Sequence, residues 1–309
     1  MRKSAIVAFA LAAALVACGG AGTAAPPRKQ SRPQPVLGTP GPLALTPDGR
    51  ALLVGDRTFQ RVLRIDLRTK RRTIVIGRLP DAPVGLAFDD NGRLFVASGN
   101  RIYLMASGRK VVVAGTGERS HTGDGGAATA ATIVGIVGID VDHDEEIAIA
   151  EYDNWVRVVG ADGIIRTVAG NGGTGTAGDG GPATDALLGH PHDVIWRANK
   201  TLVIADSHNG RLRSVDSSGL IRLHAEGFAA PVEITGGPGN TIYVSDARLG
   251  AIFRVPPGGG DPQRVAFADT PVGIAVDARG ILYYSELEGR RRVLRRTPGG
   301  RMTVLADGR

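Results

Sequence analysis

The stretch PHDVIWRANKTLVIADSHNGRLRSV (Pro191–Val215) decides how the rest of the chain is read. Pro191–Trp196 is a short apolar run opening on proline, which strands accept at their first residue or on an edge. A polar turn follows, and then a second run that is almost continuously apolar until it ends at Asp206. Such a run suits a strand covered on both faces. His208, Asn209 and Gly210 make a turn, and a third strand begins at Arg211.

The same unit recurs on both sides of this stretch. Second strands of matching character are Ala51–Asp56, Arg93–Ser98, Glu146–Glu151, Thr201–Asp206, Thr241–Asp246 and Ile281–Glu286. Their ends recur at intervals of 42, 53, 55, 40 and 40 residues. A period of about 40–45 residues with four strands per unit marks a propeller blade. Apolar spacing of 3.6 residues, which helical solenoids would show, is absent. The last unit is the clearest: Val272–Asp277, Ile281–Glu286, Arg292–Thr297 and Met302–Ala306 form an inner, second, third and outer strand. The expected fold is all-β, a six-bladed β-propeller with four antiparallel strands per blade over residues 37–309. Blade 6 supplies its own four strands and blade 1 its own from Leu43 to Ile76. The ring should therefore close by packing of blade 6 on blade 1, with no strand lent by the N-terminal segment.

Composition agrees. Of 309 residues 45 are glycine and 18 proline, with only 5% aromatic residues, as many short strands joined by turns require. The net charge is +7, but only five of the basic residues are lysine. The runs Arg68–Arg72 and Arg290–Arg292 read as solvated turn and edge charge, which also discourages sheet-to-sheet association. No nucleic-acid partner is expected. Cys18 is the one cysteine, so a disulfide, a thiol nucleophile with a partner cysteine and a cysteine-based zinc site are excluded.

The N-terminus carries a targeting pattern. Arg2 and Lys3 precede an apolar run, Ala5 to Ala17, that is too short to span a bilayer as a helix. Leu15-Val16-Ala17-Cys18 resembles the lipobox of bacterial lipoproteins. The resemblance implies cleavage after residue 17, lipidation of Cys18 and a membrane-anchored protein of the bacterial cell envelope, outside the cytoplasm. Residues 18–36, rich in Gly, Ala and Pro, read as a flexible tether.

The repeat itself is similar to the NHL repeat, whose consensus runs roughly P-x-G-V-A-V-D, then G-N-L-Y-V-A-D, then N-x-R-I-x-x-V. Blade 4 matches it best, and the same register fits all six blades from about Leu37 to Ala306. GTGERSHTGDGGAATAA (Gly115–Ala131) and GNGGTGTAGDGGPATDA (Gly170–Ala186) resemble the G-D-G-G-P-A-T insertion of many NHL propellers, and they account for the two long intervals. Their aspartates, Asp124 and Asp179, are expected to accept neighbouring backbone N–H groups as in an Asx turn. Loops from an outer strand to the next inner strand share a face with the channel mouth, so both insertions are expected there. That face is the expected binding surface.

Three sets of residues are candidates for chemistry. The acids Asp56, Glu151, Asp206, Asp246 and Glu286 recur once per blade. They read either as an anionic ring able to hold a hard cation such as Ca²⁺ in the channel, or as turn caps within each blade. His192, Asp193 and Glu233 open inner strands of neighbouring blades and form a candidate channel-mouth site, for metal ligation or acid–base work. Strand alternation should send His192 and Asp193 to opposite sides, leaving a weak cation or water site between Asp193 and Glu233. Six-bladed amidating lyases, which resemble NHL propellers, repeat a histidine at the His192 position to bind zinc. Here the other blades have Gly41, Val84, Val137, Val232 and Val272. Lactonase-type propellers chelate a divalent ion with a Glu, an Asp and asparagines pointing into the channel. The channel-facing residues here are Pro42, Gly85, Gly138, Asp193, Glu233 and Gly273, with two acids and no asparagine. The expected function is therefore binding or scaffolding of a protein, glycan or small ligand. The alternative is a metal-dependent hydrolase or lyase at the channel mouth.

Overall fold

The computed structural model describes residues 33–308. The signal segment, Cys18 and most of the tether lie outside the described residues. The described chain forms six sheets of four antiparallel strands, each sheet a contiguous stretch of sequence ordered from inner to outer strand. The inner strands are Pro40–Leu45, Pro83–Phe88, Ile136–Val141, Pro191–Trp196, Pro231–Gly236 and Pro271–Val276. Five of the six open on proline, whose missing N–H costs nothing at the first residue of a strand with no neighbour on its inner side. Second strands such as Ile147–Glu151 and Leu202–Asp206 are buried along their whole length, which explains their continuous apolar character.

The core is six apolar layers, one between each pair of adjacent blades. Ile252, Ile274, Tyr284 and Leu294 fill the layer between blades 5 and 6. Leu43, Val54 and Ile65 of blade 1 meet Ile281, Tyr283 and Val293 of blade 6 in the layer that closes the ring. Each of these larger side chains contributes roughly 1.5–3 kcal/mol by leaving water. The outer strand of blade 6, Met302–Asp307, comes from the C-terminal end. Leu37 adds a buried side chain to the closing layer, but no strand.

The two insertions do not stand over the channel mouth. Each leaves that face and runs down the outside of the ring, between the outer strands of two blades. Ala128 N–H donates to Gly163 O and Ile165 N–H to Gly126 O. The first insertion thus reaches the turn at the far end of blade 3. The second repeats the pattern, with Ala183 N–H on Gly219 O and Ile221 N–H on Gly181 O. Ala128, Ala131 and Ile133 enter the layer between blades 2 and 3, and Ala183, Ala186 and Leu188 the layer between blades 3 and 4. Small residues fit because these outer gaps are narrow, and burial of those apolar groups draws the insertion onto the rim.

Asp124 and Asp179 anchor the wedges over long range instead of forming local Asx turns. Asp124 accepts from Arg157 Nε at 2.9 Å and from Thr167 N at 3.0 Å. Asp179 accepts from Arg213 Nε at 3.0 Å and Nη2 at 2.8 Å. Both arginines come from third strands and are fully buried. Their remaining donors reach carbonyls of the insertions and of the residue just after each, Thr122 and Thr132 for Arg157, Ala177 and Leu187 for Arg213.

Candidate functional site

The acids that end the second strands are buried and act inside their own blades. Each accepts a backbone N–H from the segment just before the inner strand: Gly38 on Asp56, Val134 on Glu151, Gly189 on Asp206, Ala229 on Asp246 and Asp269 on Glu286. Ser98 does the same for Asp81 in blade 2. Arg61, Arg211 and Arg292 of the third strands pair with Asp56, Asp206 and Glu286, while Arg157 lies 3.5 Å from Glu151. Asp246 instead caps its turn through the N–H groups of Arg248 and Leu249. These oxygens latch each blade to the loop that enters it, and do not face a common ion.

The channel holds a cavity of about 340 Å³ on the face where the inner strands begin. Its collar is the second residue of each inner strand: Val84, Val137, His192, Val232 and Val272, with Gly41 in blade 1. His192 and Asp193 both line the cavity, against the expected alternation. The cause is a register shift in the pairing of the inner strand, between Pro191 and Asp193 in blade 4 and likewise in its neighbours, blades 3 and 5. Such a bulge re-aims one side chain, here turning the collar residue inward.

Below the collar lie three acids on consecutive blades, Asp140, Asp193 and Glu233. Each reaches across to the next blade. Asp140 accepts from Trp196 N at 2.7 Å, Asp193 from Ile234 N at 2.8 Å and Glu233 from Ile274 N at 3.1 Å. Glu233 also lies 3.5 Å from Leu43 N of blade 1. Burial pushes the Asp140 carboxyl up to about 7. Burial, reinforced by a neighbouring acid, raises Asp193 and Glu233 well above the usual carboxylate range. The floor is therefore a row of carboxyls that tend to hold protons. Hydroxyls tie the remaining inner strands, Ser245 donating to Val272 O and Ser285 to Gly41 O.

At the rim, loops of blades 3 and 4 bring an aromatic group together beside His192. Tyr152 packs on His190 at 4.3 Å and edge-on to His192 at 6.0 Å between ring centroids, and His190 meets His208 at 4.3 Å. The His190 Nδ1–H donates to the Tyr152 carbonyl at 2.7 Å, which fixes that ring. Burial, with the charges of His208, His190 and Arg57, pushes His192 down to about 4, so its imidazole is neutral near pH 7. On the opposite face Asp142, His143 and Asp144 come close enough to share a metal ion. The cation beside them is Lys200, whose Nζ is 2.5 Å from both Asp142 and Asp144.

Sequence reasoning found His192, Asp193 and Glu233 but missed Arg57, Asp140, Tyr152, His190 and His208. Asp140 sits two residues beyond Gly138, on the channel-facing parity already assigned to Asp193, so the signal was present. The other four lie on separate loops: packing of blade 4 on blade 3 brings Tyr152, His190 and His208 together, and ring closure sets Arg57 across from them.

Solved structures of low sequence identity share the architecture. A streptogramin B lyase aligns with a TM-score of 0.61 at 13% identity, over 87% of this chain and 83% of that one. A putative gluconolactonase gives 0.64 at 11% identity over 88% and 90%. A chain of a nidogen/laminin complex gives 0.55 at 17% identity over 70% and 75%. The likeness is one of fold. No protein-family model and no curated protein sequence matches the chain.

Proposed function

We propose that this chain is a lipid-anchored, extracytoplasmic binding propeller of NHL type whose small ligand seats in the channel mouth. The observation that carries the reading is the collar: four valines and one neutral imidazole around a cavity of about 340 Å³. Small-molecule sites are concave and mostly apolar, with a few fixed polar groups. The floor acids fit binding better than turnover, because each gives an oxygen to a backbone N–H of the next blade. Val272→Trp fills the cavity without removing a polar group. Native mass spectrometry of protein from its own host should find a small ligand on the wild type and none on this variant. Retention of the same added mass by the variant would refute a channel ligand.

A second reading, a hydrolase or lyase, draws on His192, which lines the cavity and has no hydrogen-bond partner among the described residues. A group with a pKa near 4 is unprotonated at neutral pH but is a weak base. Stoichiometric divalent ion such as Ca²⁺ in purified protein, or turnover abolished by His192→Ala, would establish the enzyme over the binding module.

A further inference from the structure

Gly41 stands where four other blades place valine and blade 4 places His192. It leaves room for a side chain from elsewhere, and Arg57 fills it. The Arg57 Cγ and Cδ lie 3.1 Å from the point a Cβ on Gly41 would occupy. Arg57 lines the cavity, and its guanidinium has no ion-pair or hydrogen-bond partner among the described residues. In a ring of six, blades 1 and 4 are opposite one another. The collar is thus polar at two facing points, Arg57 and His192, with valines between them.

We infer that the channel mouth takes a small amphipathic carboxylate, its headgroup held between Arg57 and His192 and its apolar body inside the valine collar. The inference rests on the channel-ligand reading above. Among the described residues, Arg57 is the permanent charge at the collar, and an unpaired guanidinium beside an apolar collar selects an oxyanion with an apolar body. The floor carboxyls are each engaged by a backbone N–H of the next blade and offer no second headgroup site. At about 30 Å³ per water-sized group, the cavity holds roughly eleven heavy atoms. An eight-carbon fatty acid is of that size.

The test is calorimetric titration of the full chain carrying Cys18→Ser with octanoate, octanol and octylamine. Octanoate should bind at least tenfold more tightly than the other two. Arg57→Gln should remove that preference while leaving octanol binding within twofold. Gly41→Val, which crowds the Arg57 stem, should weaken octanoate in the same direction with Arg57 still present. Equal binding of octanoate and octanol, or no effect of Arg57→Gln, overturns the inference and leaves the channel-ligand reading standing. Preference for octylamine shows that the acid floor governs and also overturns it. Binding of none of the three, together with a wild type that carries no ligand, overturns both.

Discussion

The twin insertions allow a comparison within one molecule. Arg157 and Arg213 are both fully buried, and each meets the aspartate of its own insertion. Asp179→Ala removes the one carboxylate, among the described residues, within ion-pair distance of Arg213, leaving it two carbonyls at 2.7 and 3.4 Å. Breaking a buried pair from one side costs about 3–5 kcal/mol. Asp179 is 33% exposed, so water can replace part of what is lost and the cost should fall near 3 kcal/mol. Asp124→Ala also strips Thr167 N of its acceptor, as Asp179→Ala strips Arg211 of a contact at 3.7 Å. The difference that decides the cost is that Arg157 keeps Glu151 Oε1 at 3.5 Å as a second carboxylate. That residual pair should reduce the cost by roughly 1 kcal/mol or more. Urea unfolding followed by circular dichroism measures both, with the midpoint shift larger for Asp179→Ala. Arg213→Met combined with Asp179→Ala should recover most of the loss, since the stranded charge is then gone. Equal shifts, or a larger one for Asp124→Ala, would refute the assignment of Glu151 as the reserve partner.

Other expectations follow from the same geometry. The Asp140 carboxyl sits at about 7 in the fold against an ordinary 3.8, so the folded state binds the extra proton and stability falls as pH rises through that window. The penalty saturates above pH 7 at about 4 kcal/mol. Asp140→Asn should make the midpoint-against-pH curve less steep between pH 4 and 8, with Asp193 and Glu233 keeping part of the slope, and an unchanged curve would count against it. Cys18→Ser should leave an unprocessed precursor or release the protein from membranes; mature protein still partitioning with membranes would remove the lipoprotein proposal. Deleting blade 6 (residues 271–307) exposes two apolar faces and should give aggregate on size-exclusion chromatography, not a smaller ring.

The blades were legible because each is a local object. Its strands, turns and closing acid lie within about forty residues, and glycine and proline mark the bends. The closing of the ring could be counted from Val272 onward for the same reason. The site was less legible because it is assembled from different blades. That Gly41 matters through Arg57, sixteen residues later, depends on how a loop folds back. His192 faces the channel because of a bulge, which a two-residue alternation rule does not foresee. The insertions read as a pair in the sequence, yet their position on the rim depends on Arg157 and Arg213, which sequence alone shows as ordinary strand residues.

Each blade is a contiguous stretch of chain, and the contact that completes the circle resembles the five others in kind. Covalent order and spatial order are therefore separable in this molecule. Gly308 lies against the Leu37 and Gly38 carbonyls, so the two ends of the described chain are neighbours. A short linker there, with new ends cut in the turn at Asn199 and Lys200, would give a circular permutant with every interface intact. Descent by tandem copying would look the same: a gene that gains or loses length in whole blades, carrying any insertion along with its blade. The two similar wedges ahead of blades 3 and 4, which share the G-D-G-G run, have the form that duplication of one such module would leave.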